Sequence, residues 1–180
     1  MLDVSEGIKL MGNVREVHVA AVGNEVREVL WWLQEGYEGE PERIAIDLKH
    51  NPLPFRFKSS EEVQAVPEYR VPELFLYEPN AAILKAGAFK SVGMHYGLGK
   101  LHLNTHLYTS DKLVEFPGWR FKFNLDLPYK PGKLPFKKAN VSARNFPESV
   151  AVIRKRNRIQ DGGDTYLFFV RTKGESLRVL

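Results

Sequence analysis

The chain has 180 residues, 43% hydrophobic and 27% charged, enough apolar side chains for one buried core or two small ones. Cysteine is absent, which excludes disulfides, cysteine-ligated zinc, iron–sulfur clusters and a thiol nucleophile. The net charge of +4 is unevenly spread: residues 1–118 hold 12 Lys and Arg against 17 Asp and Glu, whereas residues 119–180 hold 14 against 5. A basic C-terminal part points to an anionic partner, nucleic acid first among them. No apolar run is long enough to span a membrane, and the acidic N-terminus lacks the basic start of a signal peptide, so the expected location is cytoplasmic with no membrane partner.

Residues 1–36 read as helix, strand, helix. The run Glu16-Val17-His18-Val19-Ala20-Ala21-Val22 is β-prone and nearly continuous in apolar residues, which suits a strand buried on both faces. After the break at Gly23-Asn24, Val26, Val29, Leu30 and Leu33 recur at helical spacing, predicting an amphipathic helix over 25–34 closed by Gly36. One strand and one helix cannot make a sheet, so this segment reads as the edge of a larger layered structure.

From 37 to 79 the texture is β-rich. Arg43 to Leu48 alternates with period two, Phe55 and Phe57 flank Arg56, and five prolines between 52 and 79 favour short strands, the last at Glu73–Tyr77. Glu61-Glu62 reads as a solvated loop pair. Asn80 suits the cap of a helical stretch over 80–98, divided by Gly87, Gly93, Gly97 and Gly99. Beyond it the pattern predicts strands over 101–108, 119–127 and 138–144, a helix over 147–159, and strands over 165–172 and 177–180.

Motifs for small-molecule chemistry are incomplete. The segment from Gly93 to Lys100 has five residues between Gly93 and Gly99, and Leu101 stands where a phosphate-binding loop needs a hydroxyl. No Gly-x-Gly-x-x-Gly follows a strand, and neither a Gly-x-Ser-x-Gly elbow nor a His-Glu-x-x-His helix occurs. His102, Asn104 and His106 would share one strand face near Asp111, but two histidines fall short of a zinc site, so a polar outer face is the preferred reading and no metal ligand is assigned. Asp161-Gly162-Gly163-Asp164 reads as a tight turn.

The basic third is the best lead. Lys130, Lys133, Lys137, Lys138 and Arg144 precede a helix, with Pro147 in its first turn, that ends in Arg154, Lys155, Arg156 and Arg158. Cations at a helix C-terminus complement the dipole, which explains part of the cluster structurally. Arg154 and Arg158 are expected on one face, and with the Lys130–Lys138 group they can contact several phosphates in a salt-dependent manner. Trp119, Phe121, Phe123 and Phe136 could stack bases, but at alternate strand positions core packing is the preferred reading.

Four segments, VREVHVAAVGNEVREVLWWL, LFLYEPNAAILKAGAFK, KKANVSARNFP and DGGDTYLF, resemble in order and spacing the C-terminal half of a bacterial class I S-adenosylmethionine-dependent methyltransferase family with a THUMP-like domain. Val26 stands where that family has a cysteine beside the Asn24-Glu25 pair, which suggests a structural position. The resemblance implies a mixed α+β and α/β chain: the tail of a Rossmann-like catalytic domain over 1–36, a ferredoxin-like module over 37–76 and a THUMP-like domain over 77–180. It further implies that Met1 is an internal position, and that S-adenosylmethionine and the catalytic residues belong to a part absent from this chain. RNA, tRNA first, would be the partner, gripped by Lys130, Lys133, Lys137, Lys138, Arg144, Arg154, Lys155, Arg156 and Arg158. Two alternatives stay open: a structural or protein-interaction module, and part of a methyltransferase acting on protein or a small molecule. The oligomeric state is not legible.

Overall fold

The computed structural model describes residues 3–49, 51–172 and 174–180, with the side chains of Asn51 and Pro52 left outside the description. It is mixed α+β, with three small four-stranded sheets. By contact density the chain forms two compact units, one of residues 1–68, 77–98 and 114–120, the other of residues 69–76, 99–113 and 121–180.

The first unit opens with α1 (Val4–Met11), capped by the Asp3 carboxylate, which accepts the N–H groups of Ser5 and Glu6. β1 (Val14–Val22) follows, and then β2 (Glu25–Leu33), a strand where the spacing predicts a helix. Two features overturn that helix. Gly23 and Asn24 both have positive φ, 63° and 66°, the backbone of a two-residue hairpin turn that sends the chain straight back along β1. The registers Ala20↔Glu28 and Ala21↔Val26 leave Arg27 as an extra residue in β2. That bulge brings Val26 and Val29, three residues apart, onto one strand face, and so imitates a helical period. The β-branched and aromatic content of Val26–Leu33 suits the strand.

β3 (Glu42–Asp47) runs parallel to β1 and β4 (Asn51–Lys58) antiparallel to β3, giving the order β2-β1-β3-β4. Asp47 is buried at the end of β3 and accepts the N–H groups of Gly23 at 3.0 Å, Asn24 at 2.6 Å and Lys49 at 3.1 Å. It thereby ties the hairpin turn to the sheet. The Glu61-Glu62 pair lies not in a loop but in α2 (Ser59–Gln64), where Glu61 accepts the Lys58 N–H. Glu62 accepts the N–H groups of Lys90 and Ser91 and the Ser91 hydroxyl.

α3 (Ala81–Ala86) begins as expected at Asn80, whose side chain accepts the Ile83 N–H at 3.0 Å, and ends at Gly87 in the left-handed region, φ 89°. It packs on β1, β2 and β3, covering the face that carries Val17, Val19, Ala21 and Ala45. α4 (Ser91–His95) follows.

The second sheet contains β5 (Phe75–Pro79), β6 (Gly99–His102), β7 (Thr105–Ser110) and β8 (Gly118–Lys122), in the order β6-β7-β5-β8. The single strand expected over 101–108 is a hairpin, with Leu103 and Asn104 at its turn. Gly118 has a steric reason: a Cβ there would lie 2.1 Å from the Glu78 carbonyl oxygen.

The third sheet, in the order β10-β11-β12-β9, is built from β9 (Leu127–Pro128), β10 (Asn140–Arg144), β11 (Tyr166–Arg171) and β12 (Leu177–Val179), with α5 (Val150–Asn157) connecting the parallel strands β10 and β11. β11 is buried on both faces, which accounts for its apolar run. Leu167 and Phe169 join Ile153 of α5 and Ala139, whereas Phe168 and Val170 join Leu76, Leu101 and Leu107.

Candidate nucleic-acid interface

The site grows from the way α5 is held. Ile153 is fully buried under β11, and Ser149 caps the helix with its hydroxyl toward the Val152 N–H. The helix starts there, later than the Pro147 start predicted from sequence. Asn145, at φ 52°, first turns the chain away from β10. At the other end, Asn157 is buried: its Nδ2 donates to the Ile153 carbonyl at 2.9 Å, and its Oδ1 accepts the Gly132 N–H at 2.9 Å. The turn carrying Lys130 and Lys133 is thereby latched to the end of α5.

A second latch follows. The Gln160 N–H donates to the Lys137 carbonyl at 2.8 Å, and the Ala139 N–H donates to the Gln160 carbonyl at 3.0 Å. The Lys138 stem lies over Gly162 and Gly163, close enough that a Cβ on Gly162 would sit 3.5 Å from Lys138 Cε. These glycines have φ of 96° and 88°, the tight turn expected of Asp161–Asp164. Backbone bonds thus join two basic groups that lie some twenty residues apart in sequence.

The nine candidate cations divide by their partners. Arg154 pairs with Asp161, whose carboxyl it holds below its ordinary value. Arg156 pairs with Glu148 at 2.8 Å, and the Tyr129 hydroxyl donates to the same carboxylate at 3.1 Å. Arg144 is half-buried at the end of β10. Lys130, Lys133, Lys137, Lys138, Lys155 and Arg158 are exposed and stand in no ion pair among the described residues. Arg158 is not on the helical face of Arg154 as expected: it is the cap residue, in the left-handed region at φ 56°.

The histidines do not converge on a metal. His102 donates from Nε2 to Glu175 at 2.8 Å, while its Nδ1 accepts Asn145 Nδ2–H at 3.1 Å and the Asn104 N–H at 3.2 Å. Glu175 also pairs with Arg171 at 2.7 Å, and these two contacts, His102 first, hold its carboxyl below the ordinary range. His106 is pushed down to about 4, chiefly by burial and further by the cations Lys100 and Arg144. No group of three metal-ligating side chains gathers among the described residues.

Of the four aromatics given a core role from sequence, Phe121 and Phe123 pack against the Leu76–Leu101–Leu107 cluster and Phe136 against the α5 cluster, whereas Trp119 departs from it and is 39% exposed. Tyr166 is a further exposed aromatic, at the start of β11 with its ring 5.0 Å from Phe121.

Among the described residues no strand opens through glycines into a helix N-terminus, the arrangement of a Rossmann-type cofactor loop. Here β1 turns back through Gly23-Asn24 into a hairpin, and the glycines of 93–99 are spent on α4, a turn at Gly97 and the start of β6, where Gly99 lies under the Arg70 side chain.

Two family models match the chain: a ferredoxin-like domain over residues 75–117, which spans β5 to β7 and lies almost wholly after the 37–76 expected for such a module, and a THUMP domain-like model over residues 130–180, the C-terminal part of the expected 77–180, which spans all six of the unpaired cations. No curated protein matches. The fold matches a solved structure described as "Crystal structure of putative methyltransferase from Porphyromonas gingivalis W83", with a TM-score of 0.91 and 33% identity. The match covers 100% of this chain and 48% of that one, so the chain spans about half the length of the structure it resembles. In sequence and in fold, the chain carries a ferredoxin-like domain followed by a THUMP-like domain and resembles about half of that Porphyromonas gingivalis protein.

Proposed function

We propose that the basic end of this chain binds RNA through its phosphates and presents it to an S-adenosylmethionine-dependent methyltransferase centre, with tRNA as the first candidate substrate. The observation that supports the reading is a set of exposed cations, Lys130, Lys133, Lys137, Lys138, Lys155 and Arg158. These are six cations without carboxylate partners among the described residues, latched together by Asn157 and Gln160 within the THUMP-like span. Unpaired cations held on a rigid frame release counterions on meeting a phosphate backbone without first breaking an ion pair of their own. The cofactor's seat and the catalytic groups are assigned to a part of the methyltransferase other than the residues described here.

Counterion release sets the test. Six phosphate contacts give a slope of log affinity against log salt of about −4 to −5. Titration of a tRNA pool at increasing salt should return a slope in that range, and neutralising Lys133, Lys155 and Arg158 together should bring it to about half. Affinity indifferent to salt, or unchanged in the triple variant, would overturn the proposal.

A further inference from the structure

We propose that the cavity around Arg43 in the first unit is a binding site for a small monocarboxylic acid with a short apolar tail. None of the cations of the RNA reading lies in that unit, and the site does not depend on RNA binding.

Arg43 belongs to β3, in register with Val17 and Phe57 on the sheet face that α3 covers, where its neighbours are apolar. It is only 7% exposed. Nη1 donates to the Ala86 carbonyl at the end of α3 at 2.8 Å, and Nη2 donates to the Ser5 hydroxyl of α1 at 3.2 Å. Nε is buried with no partner. The Phe57 ring, 5.8 Å from Cζ, softens the burial without neutralising the charge.

Burying a cation is costly unless an anion answers it, and no carboxylate stands within ion-pair distance of Arg43 among the described residues. The carboxylates whose charge reaches it from further away are Asp3, Glu40 and Glu62. Each is engaged elsewhere. Asp3 accepts the N–H groups of Ser5 and Glu6, Glu40 accepts the N–H and hydroxyl of Ser60, and Glu62 holds Lys90 and Ser91 at the start of α4. The guanidinium therefore has no counter-ion of its own.

The cavity that Arg43 lines has a volume of about 300 Å³, the lower end of the range for small-molecule sites. Lys85 lines it too and stands in no ion pair among the described residues, and the hydroxyls of Ser5 and Ser59 add hydrogen-bonding groups. Val4, Leu84 and Phe89 supply apolar wall. This lining selects the ligand. Two cations call for an anion, but Asp3 and Glu62 at the same cavity oppose a dianion more strongly than a monoanion. A planar carboxylate matches the planar guanidinium, and the apolar wall takes the tail.

Titration of the 180-residue chain with sodium butanoate, followed through backbone amide resonances, tests the site. The amides of Ser5, Ser59 and Gly87 should shift to saturation with a dissociation constant of about 1 mM. Formate, which lacks the tail, should bind at least about tenfold more weakly, and inorganic phosphate should not saturate these amides. Lys85→Glu should weaken butanoate at least about tenfold, whereas Lys9→Glu, the same charge change outside the cavity, should leave it unaltered. Arg43→Gln should abolish saturation, and if that variant unfolds, Lys85→Glu decides alone. Absence of a saturable shift with butanoate would overturn the proposal, as would full affinity in Lys85→Glu. Phosphate binding as tightly as butanoate would overturn it too, because the cavity would then read charge alone.

Discussion

Asn157 is a neutral residue that ties together two segments carrying exposed cations. Its amide closes the last turn of α5 through a buried bond and holds the Lys130–Lys133 turn through a partly buried one. Asn157→Ala should cost about 1–3 kcal/mol in urea unfolding, the penalty of leaving buried polar groups without partners. It should also weaken RNA binding, although no charge is removed. Lys155 and Arg154 provide a matched contrast on the same helix. Arg154 spends its charge on Asp161, so Lys155→Ala should lower tRNA affinity several-fold more than Arg154→Ala in the same titration. His106 contributes a pH dependence whose sign is fixed by its depressed value. Its folded form stays neutral down to about pH 4, whereas the unfolded chain takes up a proton near 6.5. The stability it supplies is therefore full above about pH 6.5 and is lost as pH falls toward 4, a change of about 1–2 kcal/mol after allowing for solvent screening of a partly open ring. Denaturation midpoints between pH 7 and 4 should show this fall, and His106→Phe should flatten it.

At the scale of elements, sequence was most readable where one local signal dominated and least where tertiary pairing decided. Asn80 and Gly87 bracket α3 as cap chemistry requires, and the alternation of Arg43–Leu48 is β3. β2 misled because a single bulge at Arg27 turns a period of two into an apparent period of three. The Gly23-Asn24 turn carried the correct signal, but reading it required giving both residues positive φ. The pairing of His102 with Glu175 lies between residues seventy-three apart, and no local pattern encodes it. The same applies to Asp47, which bonds three N–H groups, two of them in the turn more than twenty residues earlier. Asp47→Ala should release that turn and destabilise the β1–β2 hairpin by about 3 kcal/mol, read as a lower thermal midpoint with faster exchange of the Gly23 and Asn24 amides. The nine candidate cations were legible individually, but their separation into paired and unpaired groups depends on Asp161 and Glu148, and that required the structure.

Across the whole molecule, the net +4 conceals two opposed parts, with carboxylates in excess before residue 119 and cations in large excess after it. A polyanion is repelled by the first and drawn to the second, so electrostatics alone should direct RNA to the residues after 118. Debye screening at physiological salt confines the attraction to roughly 8 Å, so the local clustering of Lys130, Lys133, Lys137, Lys138 and Lys155 matters more than the overall charge. Lysine acetylation in the presence and absence of a tRNA pool tests this directly. Those five amines should be protected by bound RNA, while Lys9, Lys49 and Lys58, set in the acidic part, should react at the same rate with and without it. Uniform protection would mean that contact follows general charge attraction and not the latched surface, and protection of Lys9, Lys49 and Lys58 alone would place the RNA on the opposite part of the chain. Protection of the five amines that fades as salt rises, in step with the binding slope, would tie the chemistry of individual lysines to the phosphate contacts proposed for the THUMP-like domain.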